Sequence, residues 1–276
     1  MVNSLSSSAG AGVIAASMRN QTSQLSAKLT QAASGNRINR ALEDIASLSI
    51  ATSLSSQVTT LRAASDNISQ ASSFLGVADG ALGQQQAIND RLTALATQAN
   101  SGTLSSADRE ALNREFQALV EESDRLATQT NFNGTNLLDG SLAEAGASFQ
   151  IGENATDSVA LLIEDTQSNR LFGEQSLDLL SAENAGAALD ALSGARDLLS
   201  AERANVGAFQ QALDFAGANI ESAIQNQEAA RANLIDTDIA ANATERSLLE
   251  VQRQASIATL SQTNRMSGNI LKLLVE

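Results

Sequence analysis

Nearly all the side chains able to do chemistry in this chain are carboxylates. It has 31 Asp and Glu against 17 Lys and Arg, with no His and no Cys. Lack of His removes the commonest general base and metal ligand. Lack of Cys removes disulfides, thiolate nucleophiles and cysteine metal sites, and leaves the redox compartment open. Two carboxylate pairs stand close enough to share work, Glu121 with Glu122 and Asp236 with Asp238. Their chemistry would be general acid/base catalysis or calcium binding. Neither pair sits in a Gly-containing loop with oxygen ligands at positions 1, 3, 5 and 12, the commonest calcium loop. The Gly residues do not follow a strand with phosphate-cradle spacing. The carboxylates therefore read as solvated faces and helix caps. The sequence predicts no enzyme, no catalytic residue, no metal and no cofactor. A net charge of −14 with scattered Lys and Arg disfavours nucleic acid, which needs a basic surface.

The informative residues are apolar. Leu61, Ala64, Ile68, Ala71, Leu75, Ala78 and Leu82 recur at steps of three and four, with Leu54 one heptad upstream. A strand alternates with period two and cannot place them on one face. A helix can, and a seven-residue repeat calls for a left-handed supercoil against a partner. The spacing predicts a helix from about Ala41 to Asn100, roughly 90 Å long at ~1.5 Å per residue. Asn39 is its expected N-cap, with Glu43 and Asp44 in its first turn. The partner lies late in the chain. Leu192, Leu199, Val206, Leu213, Ile220 and Leu234 are spaced in sevens, with Gln227 the polar break. Zero Pro suits such uninterrupted helices.

Between the two, Ser105 to Gln129 reads as a helix folded back on the first, opened by a capping box of Ser105 with Asp108. Asn131-Phe-Asn-Gly134 is turn chemistry. Ala147 to Ile151 and Val159 to Ile163 read as short strands. Helix is expected to restart near Asn184 as N-cap. Outside the long pair, Val13 to Ala33 and Ala240 to Leu274 read as terminal helices, with a joint at Ser34-Gly35-Asn36 and another at Asp236-Thr237-Asp238. A two-helix pair of this size buries too little to be stable alone. Its stripes, Ile14, Met18, Leu25 and Leu29 with Leu248, Val251, Ile257, Leu260, Ile270, Leu271 and Leu274, are the expected self-association surface. A stripe repeated in every copy can make the heterologous contacts that build an open helix.

The fold expected is mainly α, with long antiparallel helical coiled-coil rods, a short helix folded back, a small β-hairpin region and paired terminal helices. The domains expected are 1–41 with 240–276 as a terminal-helix domain, and 42–239 as a rod domain with a β-hairpin insert at about 131–173. No run is apolar enough for a membrane span. The Ser- and Ala-rich start does not read as a secretory signal peptide.

Five segments in order resemble bacterial flagellin. They are Ala33-Ser-Gly-Asn-Arg-Ile-Asn39, Thr130-Asn-Phe-Asn-Gly134, Phe149-Gln-Ile-Gly152, Ala201-Glu-Arg-Ala-Asn-Val-Gly-Ala208 and Asn269-Ile-Leu-Lys-Leu-Leu274. The variable outer domains that flagellins usually insert are absent: only Glu174 to Glu183 separates the strands from the second helical region. The resemblance implies a structural subunit that polymerises into the flagellar filament for swimming. It implies an extracellular place, reached through the flagellum's own type III apparatus without a cleaved signal peptide. The implied partners are further copies of itself, an export chaperone, and cap and hook-junction proteins. In flagellins that activate Toll-like receptor 5, an Arg and a Leu four residues on meet a Glu from the helix that folds back. Arg91, Leu95 and Glu115 match those positions. Two other readings stand beside it, the first of which shares rods and layout. One is the hook–filament junction protein of the same superfamily, which should not form long filaments alone. The other is a monomeric helical export adaptor, which should not polymerise.

Overall fold

A computed structural model describes residues 2–144, 146–173 and 177–275, with side chains from residue 12 onward except at 267 and 270–275. The elements run α1 (Val2–Ser34), α2 (Ile45–Ala99), α3 (Ser106–Gln129), β1 (Asn131–Phe132), β2 (Thr135–Asn136), β3 (Ala147–Gln150), β4 (Ser158–Leu161), α4 (Ser168–Phe172), α5 (Ala182–Ile235) and α6 (Ile239–Val275). The fold is mainly α, as expected. The chain divides into two compact units, residues 57–225 and residues 1–56 with 226–276.

In residues 57–225 the heptads do what their spacing demands. Leu61, Ala64, Ile68, Ala71, Leu75, Ala78 and Leu82 of α2 are all buried, and so are Leu192, Ala195, Leu199, Val206, Leu213 and Ile220 of α5. The two helices run antiparallel. Asp79 accepts from Arg203 at 3.0 Å, Asp90 from Arg196 at 3.3 Å, and the Leu192 carbonyl from Asn89 at 3.1 Å. The small Ala between large residues brings the helices close, and removing these side chains from water supplies most of the stability.

One layer of this core is polar. Gln85 and Asn89, one turn apart on α2, are 1% and 2% exposed. Gln85 Nε2 donates to the carbonyls of Ser123 and Thr166, and Asn89 Nδ2 to that of Leu192. The layer thus ties α2 to α3, to the segment before α4 and to α5.

The rest of the unit is stitched onto this pair. Ser105 accepts from the Asp108 N–H and the Asp108 carboxylate accepts from the Ser105 N–H, the expected capping box. Phe116 of α3 is fully buried against Leu92, Leu95 and Leu192. β1 and β2 form a hairpin with a two-residue turn in which Asn133 has φ 49° and Gly134 φ 83°. Both positive angles are what such a turn requires, hence Asn-Gly. β3 and β4 pair antiparallel, Ala147 with Leu161 and Gln150 with Ser158. Gly152 in their loop has no room for a side chain, because an added Cβ would lie 2.5 Å from the Asp157 Cβ. Phe74 of α2 stacks edge-on against Phe132 and Phe149, so both hairpins are pinned to the helix.

Glu202 occupies a seam position of α5 and is 5% exposed. Burial pushes its carboxyl above the usual 4.5, the hydrogen bond from the Glu164 N–H opposes this, and the nearby Glu164 charge adds to the rise. The folded state therefore holds a proton that the unfolded state releases. Stability from this group is fully present below pH about 4.5 and is lost as pH rises through the raised value. Glu202→Gln is expected to stabilise the protein at pH 7 by more than at pH 4, measured by denaturant unfolding at both. An equal effect at both would show that the carboxyl is not perturbed.

Three helix starts differ from the sequence reading, and one helix is additional. Helix α1 begins at Val2, not Val13. The first long helix begins at Ile45, not near Ala41, and its cap is Asp44, not Asn39. The Asp44 carboxylate accepts from the Ser47 N–H at 3.0 Å and its hydroxyl at 2.6 Å, which holds its charge form and lowers its pKa. Asn39 is used before it, donating to the Asn36 carbonyl. The second long helix is capped by Ser181, whose hydroxyl accepts from the Asn184 N–H, so Asn184 sits in the first turn. Helix α4 was not expected at all. Its start is held by Asp124, which accepts from the Ser168 N–H and hydroxyl.

Candidate functional site

Among the described residues the candidate site is a surface. In residues 1–56 with 226–276, α1 and α6 lie antiparallel. Gln31 accepts from Asn242, Lys28 pairs with Glu245 at 2.5 Å, and Gln21 accepts from Ser256. The side of α1 turned to α6 carries Ile14, Met18, Gln21, Leu25, Lys28 and Ala32, all half-buried at steps of four and three. The side of α6 turned back carries Asn242, Arg246, Leu249, Arg253, Ser256 and Leu260 at the same steps. This seam is half polar. Hydrophobic burial between the two helices is correspondingly small, as their length alone suggested.

Helix α6 has a second heptad row. Ala241, Thr244, Leu248, Val251, Ala255 and Ala258 are all exposed, with Leu248 at 57% and Val251 at 63%. The row is uncharged and faces away from α1. Of the stripe residues read from sequence, Ile14, Met18, Leu25 and Leu260 are therefore in or beside the seam. Leu29, Leu248, Val251 and Ile257 are exposed. The side chains of Ile270, Leu271 and Leu274 lie outside the described residues. Among described residues, ten of the fifteen large apolar side chains standing exposed belong to this unit, Val13, Leu42, Ile45 and Ile239 among them. Exposed apolar side chains enriched in one unit point to interaction through that unit.

The joint at its base explains the Ser-Gly-Asn-Arg-Ile-Asn segment. The Thr237 N–H donates to the Gly35 carbonyl at 2.8 Å and the Arg37 N–H to the Ile235 carbonyl at 2.6 Å. The Arg37 guanidinium donates to the Leu234 carbonyl, and Ile38 is buried with Ala51 and Ile235. Asp238 caps α6 by accepting from the Ala240 and Ala241 N–H groups. So Asp236 and Asp238 serve a joint and a cap, and among the described residues no cluster of metal-ligating side chains exists.

The charge is divided unevenly. Residues 57–225 hold 8 Lys or Arg against 23 Asp or Glu, a net −15, whereas residues 1–56 with 226–276 hold 9 against 8. Copies meeting through the terminal unit meet without net repulsion.

The structure brings Arg91 and Glu115 together, with both Arg91 Nε and Nη2 donating to one carboxylate oxygen. Both are about half exposed. Leu95 is different: at 1% exposure it lies inside the core with Phe116 and Leu192. The resemblance would make it a contact residue beside Arg91 and Glu115. Position i+4 did put it on the Arg91 side of the helix, but α3 and α5 close over it. Leu95→Ala is therefore expected to cost about 2–5 kcal/mol of stability. Arg91→Ala should cost no more than about 1 kcal/mol, as for a surface ion pair. Denaturant unfolding of the two variants checks this, and a small loss at Leu95 would contradict its burial.

Residues 5–143 match the bacterial flagellin N-terminal helical region and residues 189–274 the bacterial flagellin C-terminal helical region. The chain belongs to the flagellin family. It is 32% identical over 263 residues to the flagellar filament 30.7 kDa core protein of Treponema maltophilum, covering 91% of this chain and 92% of that one. It is 34% identical over 272 residues to the flagellin of Bacillus subtilis, covering 87% and 90%. The crystal structure of Bacillus cereus flagellin superposes with a TM-score of 0.51 at 31% identity, over 56% of this chain and 88% of that one. Flagellins are structural proteins. Among described residues, no helix is long and apolar enough to cross a membrane.

Proposed function

We infer that this chain is a structural subunit of the bacterial flagellar filament and polymerises through the outward faces of its terminal helices. The observation that supports this most is the uncharged row Ala241, Thr244, Leu248, Val251, Ala255 and Ala258, exposed on α6 while the mixed polar and apolar row on its other side is spent on α1. A monomer has no use for that surface, and a second copy has. Residues 1–41 with 240–276 then form the assembly domain and 42–239 the rod domain that it carries. The chain has no catalytic role. Its place is outside the cell, reached by the flagellar type III route, with an export chaperone, cap and hook-junction proteins as further partners.

Sedimentation and negative-stain imaging of concentrated purified protein test this. Long filaments are expected. A monomer at every concentration would support the adaptor reading instead, and short oligomers that never elongate would support the junction reading.

For the host receptor, Toll-like receptor 5, the paired Arg91 and Glu115 are the contact, since both reach solvent on neighbouring helices. Leu95 supports them from below. A reporter assay on folded monomer should lose response with Arg91→Ala, and an unchanged response would remove the pair from the site.

A further inference from the structure

Leu42 is 97% exposed, more than any other large apolar side chain described. It does not sit on a loose loop. The Glu43 carboxylate accepts from the Asn39 N–H at 2.8 Å and the Arg40 N–H at 3.4 Å, and the Glu43 N–H donates to the Arg40 carbonyl at 3.0 Å. Asp44 then caps α2. The turn is fastened on both sides of the leucine, with exposed Arg40 beside it. An apolar tip already fixed in place loses little freedom when something covers it.

Residues 57–225 contain a groove of about 450 Å³ where the β3–β4 loop stands beside α2 and α5. It is lined by Leu61, Ile151, Ala216 and Ile220 together with the polar Asn154 and Asn219, the exposed Glu153 and the half-buried Asp157, whose carboxylate also accepts from Asn154. Apolar side chains flanked by two carboxylates fit an apolar tip with a cation two residues away. The outward row of α6 is apolar too, but it carries no carboxylate for Arg40. The division of charge points the same way. Arg40 belongs to a unit with almost no net charge, and the groove belongs to the one at −15.

We propose that Leu42, with Arg40, docks into this groove on a second copy of the chain. The proposal rests on the filament reading and adds to it a second contact, made between unlike surfaces. Such a contact is heterologous, so each copy offers one tip and one groove and the chain of copies stays open.

The absence of Cys makes a clean test. Leu42→Cys and a differently tagged Asn219→Cys, which lines the same groove from α5, are mixed, brought to polymerising concentration and oxidised. A disulfide-linked dimer carrying one of each is expected in the polymer and absent in dilute monomer. Leu42→Ser should melt like the parent but raise the concentration needed for polymerisation at least tenfold, and Arg40→Glu should raise it in the same direction. Ile50→Ser, which removes another exposed apolar side chain of the same unit, should not. If the parent polymerises, no mixed dimer forms and Leu42→Ser assembles normally, the docking is wrong and the filament reading stands. If the parent never polymerises, the filament reading itself falls. A chain carrying both substitutions that closes its own disulfide when dilute would show the tip in its own groove, and would overturn the contact between copies.

Discussion

Replacing Leu248 and Val251 together by Asp is expected to abolish polymerisation and to leave the helix content of the monomer unchanged. Both side chains are more than half exposed and face away from α1, so in the monomer the new carboxylates stay in water at little cost. In a polymer that covers the row, each becomes a buried charge without a partner, which costs several kcal/mol, more than a single contact between copies supplies. Removing 248–276 should act in the same direction. The measurement is sedimentation above the polymerising concentration of the parent, with circular dichroism as control for the fold. Filaments of normal length from the double variant would mean that the row is not an interface.

The second large effect concerns residues 57–225. Ile68→Asp should lower stability by about 4 kcal/mol and the melting temperature by about 10 °C. Ile68 is 8% exposed in the α2–α5 seam, and its Cγ2 lies only 3.8 Å from where a Cβ on Gly217 would stand. An aspartate there can neither reach water nor find a donor. Val77→Asp on the same helix should cost about 0.5 kcal/mol, because Val77 is 41% exposed. Similar losses at both positions would mean that the heptad register is misassigned. Calorimetry of the two variants decides it.

The sequence carried the long seam well because its signal is redundant. Seven apolar positions in α2 and six in α5 agree on one period, and every one of the α2 set from Leu61 to Leu82 is buried. Turn chemistry was equally readable at Asn133-Gly134, where only a few residues tolerate the backbone. Caps were read less well, since several Asn, Asp and Ser stood near each helix start and one hydrogen bond decided among them. Asp44 and Ser181 won over Asn39 and Asn184. Short α4 left no periodic trace in five residues. The candidate surface was half legible. Apolar residues in α6 were visible, but two heptad rows interleave there, Leu248 with Val251 and Leu249 with Arg253. Only the position of α1 tells which row is free. Leu95 shows the opposite limit: sharing a side with Arg91 did not reveal that α3 and α5 cover it.

The side-chain pairs across the seam have a consequence for how such a chain can vary. A seam of leucines and alanines repeating every seven residues matches itself again after a slip of one heptad, so apolar contacts alone do not index the two helices, and a backbone carbonyl indexes nothing because every residue has one. Slide α5 by seven residues and one of the two pairs, Asp79 with Arg203 and Asp90 with Arg196, is lost, and Glu202 leaves the Glu164 N–H. These side chains work as the teeth of an otherwise smooth ratchet. Insertions or deletions between them and either end of the coiled coil are then tolerated only when α2 and α5 change by matching lengths on the same side of the teeth.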